Sequence, residues 1–157
     1  MNACQLVKQF GPPAGRIMLA LVFLISGYAK LHNFEGTVIF MESELLNFRG
    51  TAGFIASRVI PLTDILLALA IIIEIGGGLM LVVGWKARWA ALAIFLFLIP
   101  ATLIFHNFWA ADAAQFQNQL NHFLKNVCIL GGMLYVMAYG SGPLSLDRDD
   151  CAEKVGS

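Results

Sequence analysis

The chain has 157 residues, 59% hydrophobic and 13% charged, with a mean hydropathy of +0.75. Soluble domains carry about 25% charged residues, so this composition excludes an ordinary soluble domain and points to a membrane protein. Ten basic and ten acidic residues cancel, which leaves no electrostatic footprint for nucleic acid, and the length suits one domain over residues 1–157.

A helix that crosses the hydrocarbon needs roughly 20 mostly apolar residues. The first such segment runs over about residues 15–31. Lys30, His32 and Asn33 follow it where a signal peptide would have a small-x-small cleavage site, so it reads as an uncleaved membrane helix. A long outer connection, about residues 32–60, comes next. Its patch from Thr37 to Leu46 has the pattern of a short amphipathic helix lying at the outer surface, interrupted afterwards by Gly50 and Gly53, with an ordinary surface loop as the alternative reading.

The second span covers about residues 61–84 and is broken by Asp64 near its start and Glu74 in its middle. Gly76, Gly77 and Gly78 follow Glu74. In a membrane, small residues let helix backbones approach closely, and Gly131 and Gly132 suggest the same in the fourth helix. The third span covers about 86–106. A polar connection with Asp112, Gln115, Gln117, Asn118 and Gln119 leads to the fourth span, about 122–139, and a charged tail occupies 141–157. The expected fold is all-α: an integral membrane four-helix bundle with a long outer connection between helices 1 and 2.

Cytoplasmic loops favour Lys and Arg. The short Lys86-Ala87-Arg88 turn, with Lys8, Arg16, Arg148 and Lys154, places both termini in the cytoplasm and leaves Lys30, Arg49, Arg58 and Lys125 toward the outer face. Trp85, Trp89, Tyr135 and Tyr139 then gather at the inner interface, and Tyr28 and Trp109 at the outer one. Cys4, Cys128 and Cys151 form no Cys-x-x-Cys, so the chain alone builds no dithiol centre.

The polar residues inside the spans carry the functional signal. At about 1.5 Å per residue, Glu74 lies roughly 15 Å from Gly84, Lys30 roughly 21 Å from Arg16, Lys125 roughly 22 Å from Gly140 and His106 roughly 27 Å from Arg88. All four fall in the middle to outer half of the bundle. Ser26 and Lys30 are four apart, as are Thr102 and His106. Asn118, Asn121, His122, Lys125 and Asn126 can share a stripe. This pattern predicts a polar pocket opening outward between helices, with Lys30 or Lys125 reaching Glu74. Ionisable residues within spans usually face the interior and mark a site, a relay or an ion pair. The competing reading is structural: Glu74 fixes register through one lysine, the lysines snorkel, and His106 caps its helix. His32, His106 and His122 share no ligand spacing, so no metal site is expected.

The order of short motifs resembles the DoxX family of small bacterial membrane proteins. These are Gly15-Arg16, Phe23-Leu24-Ile25-Ser26-Gly27-Tyr28-Ala29-Lys30, Glu74-Ile75-Gly76-Gly77-Gly78, Gly84 with Arg88, His106-Asn107-Phe108-Trp109, Lys125-Asn126, Gly131-Gly132, and Gly140-Ser141-Gly142-Pro143 with Ser145-Leu146-Asp147. The resemblance implies a multi-pass protein of the bacterial inner membrane in contact with the bilayer. It also implies association with quinone-linked redox complexes, through quinone and a redox partner protein, and homo-oligomers are compatible with it.

On that expectation Glu74, Lys125 and His106 are the candidate catalytic residues, and Lys30, Ser26, Asn126 and Trp109 the candidate ligand-binding residues. Quinone is the one cofactor implied, and none follows from the residues themselves. There is no flavin fingerprint or cysteine cluster, so the chain is at most a subunit of a quinone-linked oxidoreductase. A non-catalytic membrane accessory or scaffold for a redox or stress-response assembly is the main alternative. A small anion or proton transporter is the third.

Overall fold

A computed structural model describes residues 2–47 and 62–147. The chain is all-α there. Helix α1 spans Ala3–His32, α2 Phe34–Asn47, α3 Thr63–Val83, α4 Ala87–Phe105 and α5 Phe116–Tyr139, with a 3-10 turn at Phe108–Ala110. Three segments are long and apolar enough to cross a membrane: Ala3–His32, Thr63–Val83 and Ala87–Ala110.

Helix α1 begins well before residue 15. Asn2 accepts from the Gln5 N–H and the Gln5 side chain accepts from the Asn2 N–H, a reciprocal cap that starts the helix in polar sequence. Hydropathy alone misses these first turns because Gln5, Lys8 and Gln9 dilute them. Pro12 and Pro13 sit inside α1. One residue, Asn33, separates α1 from α2, so the expected helix in the outer connection is present and longer than its amphipathic patch. The expected interruption at Gly50 and Gly53 lies outside the described residues, as do Arg49, Arg58, Arg148, Cys151 and Lys154.

Helix α5 starts at Phe116, earlier than its apolar stretch, after a turn held by Asp112. The Asp112 carboxylate accepts from the Gln115 N–H at 2.8 Å and its carbonyl from the Phe116 N–H at 2.8 Å. The polar residues of those first turns keep α5 from reading as a span by composition.

Helices α1, α3, α4 and α5 enclose one apolar core that includes Ala20, Phe23, Leu81, Ile94, Leu98, Ile129 and Met133. Tight approach between α1 and α3 depends on Gly27. A Cβ there would lie 2.7 Å from Ile75 Cγ1 and 3.2 Å from Glu74 Cβ, so only a glycine lets the two helices meet beside the glutamate.

The two ends of the molecule are built differently. At one end α3 closes on Gly84, whose φ of +67° suits glycine. Asp147 then folds back, its carboxylate accepting from the Lys86 and Ala87 N–H groups at 2.6 and 2.9 Å. Buried Arg16 donates to the Leu144 carbonyl at 3.1 Å. Trp85, Trp89, Tyr135 and Tyr139 are exposed near this end. At the other end α2 lies against α3, and Phe40 stacks on Phe105 with ring centroids 6.0 Å apart. Helix α5 runs from this second end back to the first.

Candidate functional site

The α3 glutamate has its partner on α1. Lys30 Nζ donates to both Glu74 oxygens at 2.9 Å and to Ser26 Oγ, and Ser26 Oγ donates to Glu74 Oε1 at 3.3 Å. The spacing of four residues puts Ser26 and Lys30 on one face of α1, and Gly27 brings that face against α3. The Glu74 side chain is 5% exposed and the Lys30 side chain 25%. All three ammonium hydrogens of Lys30 are committed within this triad.

Lys125 does not reach Glu74. Its Nζ donates to His122 Nδ1 at 3.1 Å, and the His122 ring stacks on His106 at 5.0 Å between centroids. His106 Nδ1 faces Gln119 Oε1 at 3.0 Å. An amide oxygen only accepts, so Nδ1 is the donor in this contact. His106 is also the residue that closes α4, its backbone N–H donating to the Thr102 carbonyl at 3.1 Å. Buried Asn126 donates to Thr102 Oγ1 at 3.0 Å, and Thr102 donates to the Leu98 carbonyl at 2.6 Å.

These groups surround one cavity of about 310 Å³. Ser26, Lys30, Glu74, His106, Lys125 and Asn126 all line it. Trp109, the seventh candidate, does not. It stands 54% exposed beyond the end of α4, packed on Phe108 and Phe123. The expected polar stripe divides: Asn126 turns into the core, His122 and Lys125 stay at the rim, and Asn121 bonds Gln117 along the helix. Sequence reasoning missed Thr37, Phe40 and Met41 of α2, which complete the wall. The amphipathic patch was their signal, but nothing local tells which structure its apolar face covers. Thr102 was noticed for its spacing from His106 and proves to be the anchor of Asn126.

The family model for DoxX matches residues 11–107, well over half the chain. The chain belongs to the DoxX family. It is an integral membrane protein of that family, and its relatives belong to the inner membrane. It is 30% identical over 142 residues to the inner membrane protein YqjF of Escherichia coli K12, covering 90% of this chain and 93% of that one. It is 28% identical over 133 residues to the inner membrane protein YphA of the same organism, covering 85% of each. No solved structure matches significantly. The DoxX match contains the Ser26–Lys30–Glu74 triad and His106, while Lys125 and Asn126 fall beyond it, in α5.

Proposed function

We propose that the chain is a four-helix inner-membrane protein whose cavity binds a quinone headgroup, serving as the membrane subunit of a quinone-linked redox assembly. In this reading α5 is the fourth span and both termini lie in the cytoplasm. The observation that carries it is the cavity's division of chemistry. Its volume falls at the small end of ligand sites, about 300–1,000 Å³, and its lining sets Ser26, Lys30, Glu74, His106, Lys125 and Asn126 beside an apolar wall.

The donor set fits a ring with carbonyl oxygens. Lys125 commits one ammonium hydrogen to His122 and keeps two for an acceptor. Lys30 is fully used by Ser26 and Glu74, so that pair is a fixed wall of no net charge. Phe23, Phe40, Phe97 and Phe105 supply apolar surface for the ring. A bound quinone supplies two-electron, two-proton chemistry. The protein's part is to orient the carbonyls with Lys125, exclude water with α2, and hand a proton through His106 to the ring as it is reduced. A partner protein supplies the electrons.

The test is native mass spectrometry of the intact protein in mild detergent, with lipid extraction and an absorption spectrum. A retained quinone that is lost in folded Lys125→Met supports the reading. Protein that neither retains quinone nor binds it on addition refutes it and leaves the accessory role.

A further inference from the structure

Three of the four seams around the core are packed along their length: α1 with α3, α3 with α4, and α4 with α5. The seam between α1 and α5 is not. These antiparallel helices meet slightly, with Leu19 lying against Gly132. Ser26 lies two turns beyond Leu19 along α1, and Lys125 two turns before Gly132 along α5, about 10 Å in each case. The cavity sits at that level. No hydrogen bond or ion pair joins α1 to α5 there among the described residues.

Exposure shows which way the cavity faces. Its lining residues from α3 and α4 are buried or half-buried. The exposed ones are Val22 on α1, Phe40 on α2 and Lys125 on α5. Phe40, stacked on Phe105, closes the end of the molecule toward α4. What remains is a side window between α1 and α5, beneath α2, with an apolar sill at Val22 and a cationic edge at Lys125.

We infer that the cavity is loaded sideways from the bilayer through this window, by an amphiphile with one flexible apolar tail. The tail lies over Val22 in the unsealed seam while the head meets Lys125 and Asn126. The inference rests on the ligand-binding reading above and adds the route and the tail. The physical ground is that a tail leaving through the seam stays in hydrocarbon throughout, whereas an exit past α2 would carry its methylenes into water. Val22 presents no polar group to it, and Lys125 and Asn126 line the same cavity from α5 across the seam.

The experiment uses the full chain in lipid nanodiscs and two photoreactive probes with the same diazirine-bearing alkyl tail. One probe has a benzoquinone head and the other a carboxylate head. Cross-linked peptides are read by mass spectrometry. The expected result is labelling concentrated around Val22 and Ile129, competed away by the untagged compound, lost in Val22→Trp and kept in Ile25→Trp, whose site is exposed on α1 outside the cavity lining. Equal labelling of the exposed Ile72 face of α3, or labelling confined to Phe40 and Phe105, overturns the route. Labelling of the seam by the carboxylate probe alone keeps the route and refutes quinone as the head. Quinone retained by mass spectrometry with an unlabelled seam refutes the route alone. The wild-type labelling pattern decides the matter even where the tryptophan variant fails to fold.

Discussion

Glu74 is a carboxylate in the run Ile71-Ile72-Ile73-Glu74-Ile75, and its tolerance there comes from three hydrogen bonds and one opposite charge. An ion pair in a poorly polar interior gains little net stability, yet removing one partner strands the other. Glu74→Gln and Lys30→Met are each expected to destabilise the protein by about 3 kcal/mol, the low end for a buried pair because Lys30 keeps some exposure. The double variant Lys30→Met/Glu74→Leu is expected to recover most of that loss. Unfolding of the purified protein by dodecyl sulfate titration measures all three, and additive losses would mean that the pair is not the unit of stability. That Glu74 needs a lysine follows from its place in an apolar run. Which lysine it takes does not, because Lys30 and Lys125 sit at similar depth and differ by their position around the bundle. Gly27 decides the matter through a close approach that no spacing rule contains.

The elements divide by how local their causes are. Helices α3 and α4 are legible in sequence because their apolar lengths match the hydrocarbon thickness of roughly 30 Å. The starts of α1 and α5 are less so, since each lies in a polar stretch, behind the Asn2–Gln5 cap for α1 and the Asp112–Gln115 turn for α5. The segment after α5 is the least legible. Ser145-Leu146-Asp147 reads as a motif, but its target is the start of α4, some sixty positions earlier. There Lys86 has φ +45° and the first N–H groups of α4 take no capping side chain of their own, so the Asp147 carboxylate serves as a remote cap. Removing a helix cap costs about 1–2 kcal/mol. Asp147→Ala is expected to lower stability by about 1–2 kcal/mol, and Asp147→Asn by less, in the same titration. Gly84→Ala is expected to cost more than either, because its Cβ would overlap the Arg16 guanidinium and its φ is positive. A Gly84→Ala protein as stable as wild type would show that the Arg16 end rearranges at little cost.

At the scale of the whole molecule, the open point is how the fold sits in the bilayer. Helix α5 is polar in its first turns, so composition does not count it as a span. Its two ends argue otherwise. Phe116 packs on Phe108 at the end of the molecule that holds His106, and the segment after Tyr139 bonds Arg16, Val83, Gly84 and Lys86 at the opposite end. A helix that begins at one end of α4 and finishes at the other runs alongside the three apolar helices, which supports the proposal that α5 is the fourth span. Among the described residues, Lys8, Arg16, Lys86 and Arg88 gather at the Gly84 end, against Lys30 and Lys125 toward the other, and by the positive-inside rule this supports the proposed placement of the Gly84 end in the cytoplasm. A membrane-impermeant maleimide on intact cells reads this directly, with single cysteines placed in a background whose other cysteines are serine. Ala114→Cys is expected to label on intact cells. Cys4 and Leu146→Cys, both exposed positions, are expected to label only after permeabilisation. The reverse pattern would invert the molecule and leave α5 as a span. Labelling of Ala114→Cys and Leu146→Cys from the same side would mean that α5 does not cross, and the window between α1 and α5 would then open to water rather than to lipid.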